Sequence, residues 1–224
     1  SWYKKDNVKV KDYRSIDNLR DFELQIMTPL VHAIIQAHSN SDKLDVAVDT
    51  ETSGLNVYKL AKNNPDKDHV VAIPISWVDD AGFVIFTDME HFANVNNDYV
   101  SARLGELFSK FSGQRTIEVW EPDEHEYADN SINKMDLFGN ANVSSGSSSL
   151  NGCHKVTYVI EREWINLIGH NAMFDKKAFI DSDQYFYFDN DTMQMAFDIS
   201  SKLIKGSNKL KVYPVKLRRR FKTK

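Results

Sequence analysis

The strongest constraint on this chain is a rhythm of short, β-branched runs separated by segments of helical period. LDVAVD (44–49), VVAIPISWV (70–78), GFVIF (82–86), VTYVI (156–160) and INLIG (165–169) have the length and composition of buried strands. Around them the apolar residues recur at intervals of three and four. One series runs through Leu19, Phe22, Ile26, Met27, Leu30, Val31, Ile34 and Ile35, and another through Leu104, Leu107, Phe108 and Phe111. Strands interleaved with helices imply a mixed α/β domain.

The spacing predicts a helix over 16–38, capped by Ser15 and bent at Pro29, and further helices over 100–111, 174–180 and 192–203. Residues 112–155 break the pattern. They hold seven acids between Glu118 and Asp136 and then NANVSSGSSSLNG, which reads as a polar insertion. The chain therefore divides into a lead-in and helix (1–43), an α/β domain (44–211) and a basic end (212–224).

Charge is distributed unevenly. The net charge is −4, yet residues 202–224 carry ten Lys or Arg and no acid, which leaves −14 for residues 1–201. A basic end on an acidic body suits contact with an anionic partner at one edge. The single cysteine, Cys153, excludes an internal disulfide and fits a reducing compartment. No apolar run reaches about 18 residues, so no membrane span is expected. No P-loop, dinucleotide glycine motif or zinc spacing occurs.

Two short motifs carry the chemistry. Asp49-Thr50-Glu51 closes the strand LDVAV, and carboxylates at i and i+2 of an extended chain point to one side. Paired acids repel unless a cation lies between them, and hard oxygen donors favour Mg²⁺ or Mn²⁺. A D-x-E at a strand end is also a common solvated turn. The second motif, His170-Asn171-Ala172-Met173-Phe174-Asp175, lies between INLIG and a helix. Asp175 also suits the first turn of that helix electrostatically, and Asn171 suits a turn.

Taken together, DTETSGL (49–55) and GHNAMFDKKAF (169–179) resemble the first two exonuclease motifs of the DEDD 3′–5′ exonuclease superfamily. The likeness is greatest to the proofreading domain of family A, Klenow-like, DNA polymerases of phage or bacteria. FDNDTM (188–193) resembles the Asp-Thr-Met that follows the second motif there, and SNKLK (207–211) the stretch after it.

The resemblance implies an RNase H-like fold, a mixed central sheet flanked by helices, with a two-metal site of Mg²⁺ or Mn²⁺ at its edge. It makes Asp49, Glu51 and Asp175 the metal ligands and catalytic residues, with Glu51 also orienting water. Thr52 and Leu55 would contact the terminal nucleotide, Leu55 as a wedge against its base. Asn171 would hold the penultimate backbone or the Asp175 loop, and Phe174 would pack beside the terminal base or sugar.

The implied partners are a single-stranded DNA 3′ end and the remainder of a polymerase chain. The implied location is the cytoplasm of a bacterium, or of the host if the source is a phage. A stand-alone exonuclease on short DNA or RNA and a catalytically inactive RNase H-like module are the alternatives.

The family's third motif, which supplies a fourth carboxylate, has no counterpart in its usual place. Tyr185-x-x-x-Asp189 has the spacing but precedes the Asp-Thr-Met stretch, and it reads as a chance match within a strand; past Asp198 there are no acids. The expectation is a fragment, part of a split polymerase, or a degenerate fold. The absence of an initiating Met favours the first. His69, His91, His125 and His170 read as non-ligands, Cys153 as a non-nucleophile, and Trp77, Trp120 and Trp164 as packing groups.

Overall fold

A computed structural model describes residues 12–57, 68–79, 81–87, 97–123, 150–180 and 182–205. SNKLK (207–211), the basic end, His91, His125 and the centre of the polar insertion lie outside the described residues.

The central sheet is built from β1 (Asp12–Ile16), β2 (Leu44–Val48), β3 (Glu51–Thr52), β4 (Val70–Ser76), β5 (Ala81–Phe86), β8 (Ile165–Gly169) and β9 (Asn190–Asp191), in the order β1-β5-β4-β2-β8-β9 with β3 beside β4. β4 runs antiparallel to β2 and β5, whereas β2-β8, β8-β9 and β1-β5 are parallel pairs. This is the RNase H-like mixed sheet, with β1 added at one edge. A separate antiparallel ribbon joins β6 (Gln114–Pro122) to β7 (Cys153–Glu161).

One sheet face is closed by helices. Val46 and Val48 of β2, Ile73 and Ile75 of β4, and Ile165 and Leu167 of β8 turn inward and are buried. They share one apolar core with Phe22, Met27, Leu30 and Ile34, with Leu104, Leu107 and Phe108 of α3 (Asn97–Phe108), and with Ala178 and Phe179 of α4 (Ala172–Ile180). The stacked rings of Phe179 and Phe186, with centroids 3.9 Å apart, tie α4 to the following segment.

The N-terminal region departs from its sequence pattern. The expected helix over 16–38 begins instead after a strand, because Ile16 is fully buried beside β5. Its cap is Asn18, not Ser15: the Asn18 side chain accepts from the Asp21 N–H at 2.8 Å. The helix runs as α1 (Leu19–Asp21), a π-helical stretch (Phe22–Met27) and α2 (Thr28–Ser39). Pro29 sits in the first turn of α2, where its missing N–H costs least. The irregularity lies just before it, where the Thr28 N–H reaches back five residues to the Glu23 carbonyl.

The polar interruption is narrower than the 112–155 read from composition. Gln114–Pro122 and Cys153–Glu161 are paired strands, and Cys153 is the first residue of β7. The acids there alternate along a strand: Ile117 and Val119 are buried, while Glu118 is exposed and pairs with Lys155. Charge on the outer face concealed a β period of two.

Within the core, Glu23 is 1% exposed and takes both its oxygens to Arg103, at 2.8 and 2.9 Å, and one to Tyr99 at 2.6 Å. Arg103 also donates to the Glu118 carbonyl, so one buried ion pair joins the π-helical stretch, α3 and β6. The tryptophans serve packing, as expected. Trp77 stacks on Phe83, Trp164 stacks on His38, and Lys155 lies over Trp120.

Candidate functional site

β2 brings the first motif to the sheet end. Val46 and Val48 face the core while Asp45, Ala47 and Asp49 face out, the period-two alternation that the sequence shows. The Asp49 N–H continues the ladder to the Pro74 carbonyl at 3.1 Å. The pairing of β3 with β4 then shifts register between Glu51 and Thr52. Thr50 turns inward and is 7% exposed, whereas Asp49 and Glu51 are exposed. A threonine hydroxyl buried at this point needs a partner, and its partner is Asp175.

Asp175 lies in the first turn of α4 and is 1% exposed. The Thr50 hydroxyl donates to its Oδ1 at 2.7 Å. Its Oδ2 is buried with no hydrogen-bond partner. Burial pushes the Asp175 carboxyl up to about 7; the hydrogen bond from the Thr50 side chain opposes this, and the Asp49 charge adds to it. The carboxylates of the two motifs, Asp49 and Asp175, are thus brought together at one sheet end.

This pair fits a divalent cation. A buried carboxylate oxygen without a donor, beside a second carboxylate, is costly for the protein alone and is the donor type that Mg²⁺ or Mn²⁺ takes. Glu51, the first residue of β3, is likewise exposed. Among the described residues, no three His, Cys, Asp or Glu side chains converge closely enough to form a ligand cluster by themselves.

The loop carrying the second motif is clamped from β9. Asn171 adopts φ +64°, a conformation that asparagine tolerates better than most residues. Asp191 accepts from the Asn171 N–H at 3.0 Å, the Ala172 N–H at 2.9 Å and the Met193 N–H at 2.9 Å. These backbone donors outweigh burial and hold its carboxyl below the usual carboxylate range, although burial is the largest single influence and acts upward. Thr192 donates to the Gly169 carbonyl at 3.2 Å, and its hydroxyl lies 2.8 Å from His170 Nδ1. Gly169 cannot carry a side chain, because a Cβ there would fall 2.9 Å from the Phe188 ring.

The remaining expected residues surround this centre in different ways. Leu55 is 87% exposed, Asn171 is exposed, and Phe174 is half-buried against the core. The Thr52 hydroxyl is turned back onto the Gly54 carbonyl. A groove of about 500 Å³ crosses the open face of the sheet, floored by Ala47, Pro74, Val84 and Ile168 and ending at Asp49, His170 and Thr192.

Sequence reasoning passed over Thr50, Asp191 and Thr192. The period of two in D-T-E was the available sign for Thr50, since the residue between two outward acids of an extended chain points inward. His170 Nδ1 is paired with the Thr192 hydroxyl. Tyr185-x-x-x-Asp189 is structural. Asp189 accepts from Arg162 at 2.9 Å and from the Leu167 N–H at 2.8 Å, while Tyr185 is 61% exposed.

No helix among the described residues is long and apolar enough to cross a membrane. No protein-family model and no curated protein matches the chain. Among solved structures, NrnC of Brucella melitensis is similar at 14% identity and a TM-score of 0.31, over 79% of this chain and 46% of that one. NrnC with bound Mg²⁺ gives 14% identity and a TM-score of 0.34, over 91% and 58% respectively. The chain thus spans about half the length of these structures.

Proposed function

We propose that this chain is a divalent-metal-dependent 3′–5′ exonuclease of the DEDD type, acting on single-stranded 3′ ends. The observation that carries the reading is the buried Asp175 carboxylate, with one oxygen held by Thr50 and the other unpartnered, beside Asp49 at the end of an RNase H-like sheet. Asp49, Asp175 and Glu51 would hold Mg²⁺ or Mn²⁺. The bound metal would supply an activated water and charge stabilisation for the leaving 3′-oxygen.

The protein's own part is to position the strand. Leu55, exposed on the loop after the D-T-E motif, would wedge against a terminal base, with Phe174 as the more buried apolar partner. Asn171 presents a polar side chain at the turn before α4. Thr52 would reach the nucleotide only after leaving the Gly54 carbonyl.

Two settings share this chemistry: a stand-alone nuclease on short DNA or RNA, and the proofreading part of a family A polymerase. The Asp-Thr-Met at 191–193 favours the polymerase lineage. The test compares release of mononucleotides from a 3′-labelled single strand, a short RNA and a duplex with a mismatched 3′ end, each with Mg²⁺ or Mn²⁺. Preference for the mismatched duplex over the paired one supports proofreading. Preference for strands a few nucleotides long supports the stand-alone enzyme. No metal-dependent release from any of them contradicts the exonuclease reading.

A further inference from the structure

We infer that Asp191 is a positioning residue for Asp175, setting the start of α4 from the neighbouring strand. This rests on the nuclease reading only in what Asp175 is for; the mechanical claim stands on the hydrogen bonds. Asp191 follows Asn190 in β9, which pairs in parallel with Ile168 and Gly169 of β8, so its own backbone is fixed by the sheet. Its Oδ1 takes two N–H groups, Asn171 and Met193, and its Oδ2 takes a third, Ala172. One carboxylate therefore satisfies donors at the start of α4 and at the start of α5 (Thr192–Lys205).

The turn it holds has little other freedom. Gly169 is packed against Phe188 and Ala172, Asn171 is at positive φ, and the Phe174 N–H closes back on the Asn171 carbonyl at 2.8 Å. Asp175 lies three residues beyond Ala172, so a change in the first turn of α4 moves its carboxylate relative to Thr50 and Asp49. Only an acceptor with two oxygens serves all three N–H groups. Asparagine retains the Oδ1 pair but turns an NH₂ toward the Ala172 N–H.

The test uses Asp191→Ala and Asp191→Asn in the full chain, with Mn²⁺ binding measured directly by calorimetry or electron paramagnetic resonance. The expected result is roughly a tenfold or greater loss of Mn²⁺ affinity in Asp191→Ala, the range for residues that orient a metal ligand. Asp191→Asn should fall between it and the parent. In nuclease assays kcat should drop while KM for the strand stays nearly constant, a split that general destabilisation would not give. Unchanged Mn²⁺ affinity and unchanged kcat in a folded Asp191→Ala protein would overturn the inference. If that variant does not fold, the same outcomes in Asp191→Asn decide.

If the parent protein neither binds Mn²⁺ nor cleaves, the nuclease reading fails while the positioning claim remains open to test. The readout is then the ¹³C resonance of the Asp175 carboxyl and the exchange protection of the Ala172 amide. Both should change in Asp191→Asn, and a spectrum unchanged at both positions refutes the claim.

Discussion

The Thr50 hydroxyl donates to Asp175 Oδ1 at 2.7 Å across a buried contact, a bond between residues 125 apart that ties the two motifs together. It fixes which oxygen of Asp175 is engaged by the protein and which is left over. The bond also explains the sequence between the two acids of D-T-E: a side chain there must be short, buried and able to donate.

Thr50→Val keeps the shape and removes the donor. It should cost about 1–3 kcal/mol in unfolding free energy, the penalty for leaving a buried acceptor unmade. Thr50→Ser should restore most of it. Urea unfolding of the three proteins checks the ranking, and equal stability of Thr50→Val and the parent would contradict the bond's role.

Asp175 should make the metal-free protein less stable as pH rises. Its folded carboxyl is raised from 3.8 to about 7, chiefly by burial, so the folded state holds a proton that the unfolded chain has already released. The favourable contribution is full below pH about 4, declines between about 4 and 7, and is gone above that. Thermal melts across this window, with metal chelated, should show the slope, and Asp175→Asn should flatten it and raise the midpoint at pH 8. Divalent metal should stabilise the parent at pH 8 by binding the ionised form, and should not stabilise Asp175→Asn.

Asp189 should matter for the fold alone. It pairs with Arg162, whose side chain is 6% exposed, so Asp189→Ala leaves a buried cation with only carbonyl partners. Breaking such a pair from one side costs about 3–5 kcal/mol. Chemical denaturation should show that loss, while kcat of the folded variant stays at the parent value. A selective loss of kcat would restore Tyr185-x-x-x-Asp189 as a catalytic motif.

Glu23 makes a similar prediction for the helical layer. Glu23→Ala removes the partner of both Arg103 nitrogens and of the Tyr99 hydroxyl, all at the junction of the π-helical stretch and α3. The expected cost is about 1–3 kcal/mol, read from urea unfolding, because Arg103 keeps Glu106 at 2.6 Å and the Glu118 carbonyl while its Nε and the Tyr99 hydroxyl lose their buried acceptor. A loss below 1 kcal/mol would show that Arg103 finds another acceptor.

Much of this arrangement was legible in the sequence. The runs LDVAV and INLIG gave the two strands that flank the site, because a buried strand needs apolar side chains at alternate positions or throughout. DTE and HNAMFD then marked the points where those strands hand over to loop and helix. What was not legible depended on tertiary partners. Asn18 outcompeted Ser15 as a cap because Ile16 was recruited to the sheet. Glu118 looked like part of an insertion, since its alternation with Ile117 and Val119 makes sense only beside β7. Asp191 looked like the companion of Thr192 and Met193, and its three N–H partners come from a turn 20 residues earlier and from its own helix start.

Hydrolysis at a 3′ end by a metal that Asp49 and Asp175 hold together is the reaction proposed for this chain. Its most direct test is the release of mononucleotides from a 3′-labelled single strand by the parent protein, Asp49→Ala and Asp175→Asn, with Mg²⁺ or Mn²⁺ and with chelator. Metal-dependent release by the parent is expected, with loss of at least two orders of magnitude in each variant and both variants still folded. Undiminished release by a folded Asp49→Ala protein, or no release by the parent with either metal, would contradict it.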